Sequence, residues 1–379
     1  MPNHAEPAES ARRPLLMVSE SLRNADMYYA TRFLVSDPVI YLARPAPQGE
    51  LLVVPQMEVG RAKKESTVEE IRSTSEYGRD LKLEELLIAI LHAERILSVD
   101  VPRYFPLYTA EELRKAGIAV VPVEDVPVTR ERAVKHEHEL RYMKQAQRAA
   151  EKAMAVAVQT IRTAKVQAGV LMVADDVLTS ERVRSAIEHT LIDSGCACDG
   201  GEPIVSSGTS TADPHSSGYG PLSADAPIII DIFPRLKRER YFTDMTRTVV
   251  KGTPSKAIRE MYDAVREAQD AAQALVKAGT PCRAVHFRVC DLFEERGYET
   301  LRQGGRRGFI HSTGHGVGLN VHENPRVGDN DQVLQRGNVI ALEPGLYDPE
   351  VGGVRVEDMV LVLEHGCENL TRFEKQLVL

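Results

Sequence analysis

At 379 residues the chain exceeds what one hydrophobic core usually organises, so two domains are expected. Hydrophobic residues at 43% and charged residues at 27% give the balance of a globular enzyme and exclude a disordered or fibrous chain. A formal charge of −8 leaves no basic excess to neutralise phosphates, which excludes a general nucleic-acid binder but not a local basic patch.

No apolar run reaches the roughly 20 residues that a membrane helix needs. The N-terminal stretch from Met1 to Arg13 is polar, lacks the apolar core of a secretory signal, and is expected to be a short disordered lead-in. Five scattered cysteines make no disulfide framework, and a cytoplasmic location follows. Cys196 and Cys198 form a lone C-x-C pair, half of a zinc site with nothing nearby to supply the other half.

From residue 14 to about 128 short apolar runs alternate with helical stretches. The runs "PVIYLARP" and "GELLVVP" read as strands meeting at a turn from Pro45 to Gly49. "KLEELLIAILHA" carries apolar residues at helical spacing, and "GIAVVPVED" reads as a buried strand. The result is an α/β unit, 14–128, without a catalytic constellation. The charged stretch "TRERAVKHEHE" reads as a solvated linker, placing a domain boundary near residue 129.

The second domain, 129–379, opens on a long helix. Leu140, Met143, Ala146, Ala150, Met154, Val158 and Ile161 recur at steps of three and four, on one face. A helix from Ser180 to Ser194 follows, then strand-like runs carrying Asp231 and Asp244. Two more helices, "SKAIREMYDAVREAQDAAQALVKAG" and "CRAVHFRVCDLFEERG", precede strand-like runs carrying Glu343 and Glu357. The carboxylates of the two pairs are 13 and 14 residues apart, so each pair suits neighbouring strands of a hairpin, and the outline hints at a repeat.

An acid at the end of the Ile-rich run "APIIIDIFP" is costly to bury unpaired. For Asp231 alone, or Asp244 alone, pairing with Arg247 or capping a turn is the better explanation. Two acids facing each other across a hairpin call for a cation between them. "HSTGHGVGLNVHENP" places His311, His315 and His322 in a glycine-rich stretch, which favours metal or catalysis over a bland core histidine; it lacks the lysine and spacing of a phosphate loop. Four carboxylates and a histidine form an oxygen-rich donor set suited to a pair of divalent ions such as Mn²⁺ or Co²⁺. Two ions about 3.5–4 Å apart can share a hydroxide and polarise a carbonyl, which points to hydrolysis.

The order Asp, Asp, His, Glu, Glu, with "TDMTRT", "GHGVGL", "HENP", "EPGLY" and "GVRVED", resembles the pita-bread metallopeptidases, which include methionine aminopeptidase, aminopeptidase P, prolidase and creatinase. The resemblance implies an α+β protein: a C-terminal pita-bread catalytic domain preceded by a smaller creatinase-like α/β domain, to which "ELLVVPQMEVGRAKKES" is also similar. It implies that Asp231 ligates one metal, that His315 and Glu343 ligate the other, and that Asp244 and Glu357 bridge both. Glu343 is then the base for the attacking water. His322 steadies the substrate carbonyl or its oxyanion, and His215, in "TADPHSS", contacts substrate. Arg355 meets the substrate carboxylate or braces Glu357. The implied cofactors are two divalent ions, Mn²⁺ first, with Co²⁺ or Zn²⁺ as alternatives.

The sequence departs from the family pattern in two places. The Asp231–Asp244 hairpin is longer than usual, with a basic tip at Lys237 to Arg240, and an insertion, "KVQAGVLMVADDVL", follows Ala164. With all five ligand positions filled and a short N-terminal domain, the resemblance implies a homodimeric Xaa-Pro dipeptidase (a prolidase) acting on Xaa-Pro dipeptides, with no nucleic-acid or membrane partner. Aminopeptidase P on longer peptides is the alternative, a hydrolase of another amide or amidino substrate a third reading, and a non-catalytic pita-bread binding module the distant one.

Overall fold

The computed structural model describes residues 13–379, so the lead-in expected from Met1 lies, up to residue 12, outside the described residues. The chain divides into two compact units, with the break after Arg132. The short helix Pro127–Ala133 spans that division and also contains the boundary position expected near 129.

The first unit is built on one mixed six-stranded sheet. Its order is Glu70–Ser73, Glu50–Val54, Val39–Ala43, Leu15–Ser19, Ser98–Pro102 and Ala119–Val123. The first three strands in the chain pair antiparallel, and the other three add in parallel. Successive side chains point to opposite faces of a strand. Leu16, Leu42, Leu51 and Val53 therefore meet Leu87, Ile90 and Leu91 of the helix Leu83–Ala93. Leu15, Met17, Tyr41, Leu52 and Val54 meet Met27, Phe33 and Ala62 on the other side. Both faces are covered, which is why these strands read as continuous apolar runs.

The charged stretch Thr129 to Glu139 is the solvated linker its composition suggested only in part: Arg130, Glu131, His136 and Glu137 are exposed, but Arg132, Lys135 and Glu139 are buried. In the first unit buried Arg132 donates from Nε to Asp26 Oδ1 at 2.8 Å. In the second, Lys135 Nζ meets Glu323 Oε1 at 2.5 Å, both side chains being buried. A cation in either place is tolerable only because a carboxylate sits against it.

The second unit consists of two half-units of like outline, each with its own core. In the first, the helix Glu137–Thr163 buries Met143, Ala146, Ala150, Met154, Val158 and Ile161, while Leu140, near its start, stays half-buried. This stripe packs with the helix Ser180–Asp193 on a three-stranded sheet of Ile204–Ser207, Ile228–Ile232 and Met245–Val249. In the second, the helices Lys256–Leu275 and Cys282–Glu295 cover a five-stranded sheet. Its order is Glu323–Val327, Gly314–Gly316, Val339–Leu342, Asp358–Leu363 and Gly366–Asn369. The protein is thus α+β, with the two carboxylate pairs at corresponding places in the half-units.

The insertion forms a three-stranded meander, Lys165–Gln167, Val170–Val173 and Asp176–Val177. Buried Leu171 and Leu178 anchor it, and the Leu171 N–H donates to the Leu222 carbonyl at 2.9 Å. The basic tip turns inward in part. Arg235 and Arg240 converge on Asp199, the latter at 3.6 Å, while Lys237 and Arg238 are exposed. Cys196 and Cys198 are free thiols.

Candidate metal centre

Asp231 stands opposite Thr246 in the pairing of Ile228–Ile232 with Met245–Val249. Asp244 lies two residues before Thr246, so the period of two puts Asp231, Asp244 and Thr246 on one face. In the other half-unit Leu342 pairs with Asp358, so Glu343 and Glu357 follow and precede the last rung of that ladder. His315 is paired with Ala341, two residues before Glu343, which directs both side chains to the same side. Gly314 runs so close to its neighbour that a Cβ there would lie 1.8 Å from the Ala341 carbonyl oxygen. The His315 strand can approach only with glycine at that position.

These five side chains converge. Ligand atoms of Asp231, Asp244 and Glu357 lie within 4.8 Å of one another, as do those of His315, Glu343 and Glu357. His315 Nε2 is 3.7 Å from Glu343 Oε1 and 3.8 Å from Asp244 Oδ2. Its Nδ1 lies 3.1 Å from the Gly316 carbonyl oxygen, which accepts only, so the proton belongs on Nδ1 and the Nε2 lone pair faces the carboxylates. His322 stacks edge-on against His315 with ring centres 4.1 Å apart, and it forms a third triplet within 4.8 Å with Asp244 and His315.

Electrostatically the cluster is overloaded with negative charge. Burial, then the neighbouring Glu357, Asp231 and Glu343, hold the Asp244 carboxyl well above its ordinary range. Burial, then Asp231 and Glu343, do the same to Glu357. Glu343 is pushed up to about 7 by burial, against the pull of Arg355. Burial and His322 push His315 down to about 3, so it is neutral and able to ligate. Asp231 Oδ1 and Asp244 Oδ1 are buried without a hydrogen-bond partner. Orphaned acceptors and crowded acids both destabilise a fold. Divalent cations relieve both, and four carboxylates with one imidazole suit such ions. The residues present fit a two-metal site.

Arg355 is buried and reaches Glu357 through the Thr246 hydroxyl, to which its Nε donates at 3.3 Å. Its Nη2 donates to Asp231 Oδ2 at 2.7 Å, and its Nη1 to the Tyr347 hydroxyl at 2.9 Å and the Pro214 carbonyl at 3.2 Å. Glu357 Oε2 accepts from that Thr246 hydroxyl at 2.8 Å. Arg247, weighed as a partner for the aspartates, points to the opposite face of its strand from Thr246. There it holds Asp358 at 2.8 Å and the carbonyls of Glu357, Phe373 and Glu374.

His215 and His322 are exposed. His215 follows the turn Gly208–Ala212, with its N–H on Asp213 Oδ1 at 3.1 Å; burial first, and the nearby His215 to a lesser degree, lower the imidazoles of His311 and His322. His311 is held with Nε2 3.0 Å from the Tyr347 hydroxyl. Tyr347 and Thr246 carry these contacts although no role was assigned to them from sequence. Both sit inside the quoted runs "EPGLY" and "TDMTRT", which was the only signal available.

The description Metallopeptidase family M24 fits residues 141–364, and Creatinase/Prolidase N-terminal domain fits residues 16–134. A Xaa-Pro dipeptidase of Pyrococcus horikoshii is 31% identical over 332 residues, covering 86% of this chain and 85% of its own. The crystal structure of a prolidase from the same organism superposes with a TM-score of 0.79 at 28% identity, covering 96% of this chain and 95% of that one. An X-Pro aminopeptidase from Thermotoga maritima superposes with 0.80 at 27% identity, covering 97% and 98%.

Proposed function

Because this chain belongs to metallopeptidase family M24, we propose that it is an Xaa-Pro dipeptidase holding two divalent ions with Asp231, Asp244, His315, Glu343 and Glu357. The observation that carries this reading is the convergence of those five side chains, with two buried aspartate oxygens unpartnered. Asp231 and the His315–Glu343 pair would each serve one ion, and Asp244 and Glu357 both. Mn²⁺ is the proposed ion, Co²⁺ and Zn²⁺ the alternatives. A cytoplasmic homodimer completes the proposal; among the described residues no helix is long and apolar enough to cross a membrane.

Bound divalent ions supply Lewis acidity toward the scissile carbonyl and bring water within reach of deprotonation at neutral pH. The chain's own groups do the rest. Glu343 takes a proton from the attacking water as the new C–O bond forms. The proton passes to the prolyl nitrogen as the C–N bond breaks. That nitrogen is a tertiary amide without N–H, so the enzyme has no hydrogen to grip there before cleavage. Neutral His322 donates toward the developing oxyanion, and His215 orients the substrate from the exposed side. Arg355 fixes the Asp231 carboxylate and, through the Pro214 carbonyl, the loop that carries His215.

Aminopeptidase P activity is the second reading, supported by the likeness to the X-Pro aminopeptidase structure. Hydrolysis of Ala-Pro against Ala-Pro-Ala, with Mn²⁺ added and with EDTA as control, separates them. Cleavage of the dipeptide alone makes the chain a prolidase; efficient cleavage of the tripeptide makes aminopeptidase P the better description. Metal-loaded protein that cuts neither removes both.

A further inference from the structure

We infer that Gln269, on the helix Lys256–Leu275, is a positioning residue for the two glutamate ligands, fixing the spacing of Glu343 and Glu357 and thereby the affinity for the ion pair. This rests on the ligand assignment proposed above.

The Glu343 and Glu357 backbones lie where two ladders fail to join. Leu342 pairs with Asp358 at the end of one ladder, and Gly345 pairs with Arg355 at the start of the next. Between them the strands part, and the Val356 N–H reaches the Pro344 carbonyl at only 3.5 Å. Gln269 fills this break from behind. Its side chain is fully buried, and Nε2 donates to the carbonyl oxygens of Leu342 at 3.0 Å and Val356 at 3.1 Å.

Those two carbonyls belong to the peptide units whose N–H groups are those of Glu343 and Glu357. The N–H groups are held as well: Glu343 donates to the Thr313 carbonyl at 2.9 Å, and Glu357 to the Thr246 carbonyl at 3.1 Å. Each ligand-bearing peptide plane is therefore clamped at both ends, and a single amide group serves both planes. Thr246 sits on the aspartate hairpin and Thr313 leads into His315, so the clamp ties the glutamates to the other three ligands.

Pairing two buried carbonyls is stabilising in itself, so the positioning role is the part that metal affinity, not melting temperature, reads out. Gln269 Oε1 is buried with no hydrogen-bond partner, and flipping the amide would set that oxygen against two carbonyl oxygens. An unpaired buried acceptor works against stability. Methionine would fill a similar volume without that acceptor, but it would take the donor away from the Leu342 and Val356 carbonyls. What glutamine uniquely supplies is two donors on one rigid group, aimed at two points that must keep their distance.

The test is titration of metal-free protein with Co²⁺, followed by calorimetry and visible absorption. Gln269→Met should weaken Co²⁺ binding by about 10–100-fold, as loss of an outer partner of a metal site does, and should alter the absorption bands. Val265→Ala, in the core of the same helix, should lower the melting temperature while leaving affinity and bands at wild-type values. If Gln269→Met fails to fold, Gln269→Asn, with its amide one methylene shorter, gives the same readout. Wild-type affinity and bands in a folded Gln269 variant overturn the inference. Wild-type protein that binds no Co²⁺ would overturn the ligand assignment itself, and this inference with it.

Discussion

Glu343→Gln should stabilise the metal-free protein and destabilise the loaded one. In the metal-free fold the Glu343 carboxyl is raised from 4.5 to about 7, chiefly by burial. At 1.36 kcal/mol per unit, ionising it in the folded state carries a penalty of roughly 3 kcal/mol. Its folded value lies above its unfolded one, so the fold binds the proton more tightly. The group therefore adds nothing below about pH 4.5, and its penalty grows as pH rises through 7. Glutamine has no such penalty. In EDTA at pH 8 the variant should melt about 6–12 °C above wild type, at about 2–4 °C per kcal/mol for a unit of this size. The gap should close on acidification toward pH 4.5. With Mn²⁺ at a hundredfold excess over Kd, wild type gains about 2.7 kcal/mol per occupied site, and the order should reverse because glutamine is a weaker ligand. Differential scanning calorimetry across pH, with and without metal, measures all three. A variant that melts at or below wild type in EDTA at pH 8, or a gap indifferent to pH, refutes the reasoning.

Arg355→Met removes the guanidinium held against Asp231, so metal-free protein should lose about 3–5 kcal/mol, read by urea denaturation; an unchanged midpoint counts against the brace on Asp231. His322→Ala and His215→Ala should keep both ions by calorimetry while kcat/KM falls about 10²–10³-fold. Loss of an ion in His322→Ala would instead make His322 a ligand. Gly314→Ala should yield no soluble metal-binding protein, since its Cβ has no room beside the Ala341 carbonyl; a folded, active variant would show that the strand can shift.

What was legible in the sequence followed periodicity and local chemistry. The Ile-rich run before Asp231, the three-and-four stripe of the helix Glu137–Thr163 and the two carboxylate pairs were visible because each depends on near neighbours. Pairings between distant segments were not. Arg247 stood close to Asp244 in sequence and looked like its partner, yet strand alternation turns it to the other face, and Asp231 takes Arg355 instead. The charges of "TRERAVKHEHE" looked solvated because Asp26 and Glu323, which hold Arg132 and Lys135, lie far along the chain. Gln269 was invisible for the same reason: a glutamine in an amphipathic helix looks like any surface residue until the break it spans is known.

The spread of the site along the chain bears on how the protein matures. Asp231 and Arg355 are separated by 124 positions, and Thr246 and Glu357 by 111. Contacts of that span close late in folding, since chain entropy must be spent before they return anything. An ion cannot gather these ligands early, as it does in a small zinc domain whose ligands are near neighbours. Metal should therefore slow unfolding and leave the refolding rate unchanged. The chain then folds first and is loaded afterwards, so the fraction of working enzyme follows metal supply rather than folding yield.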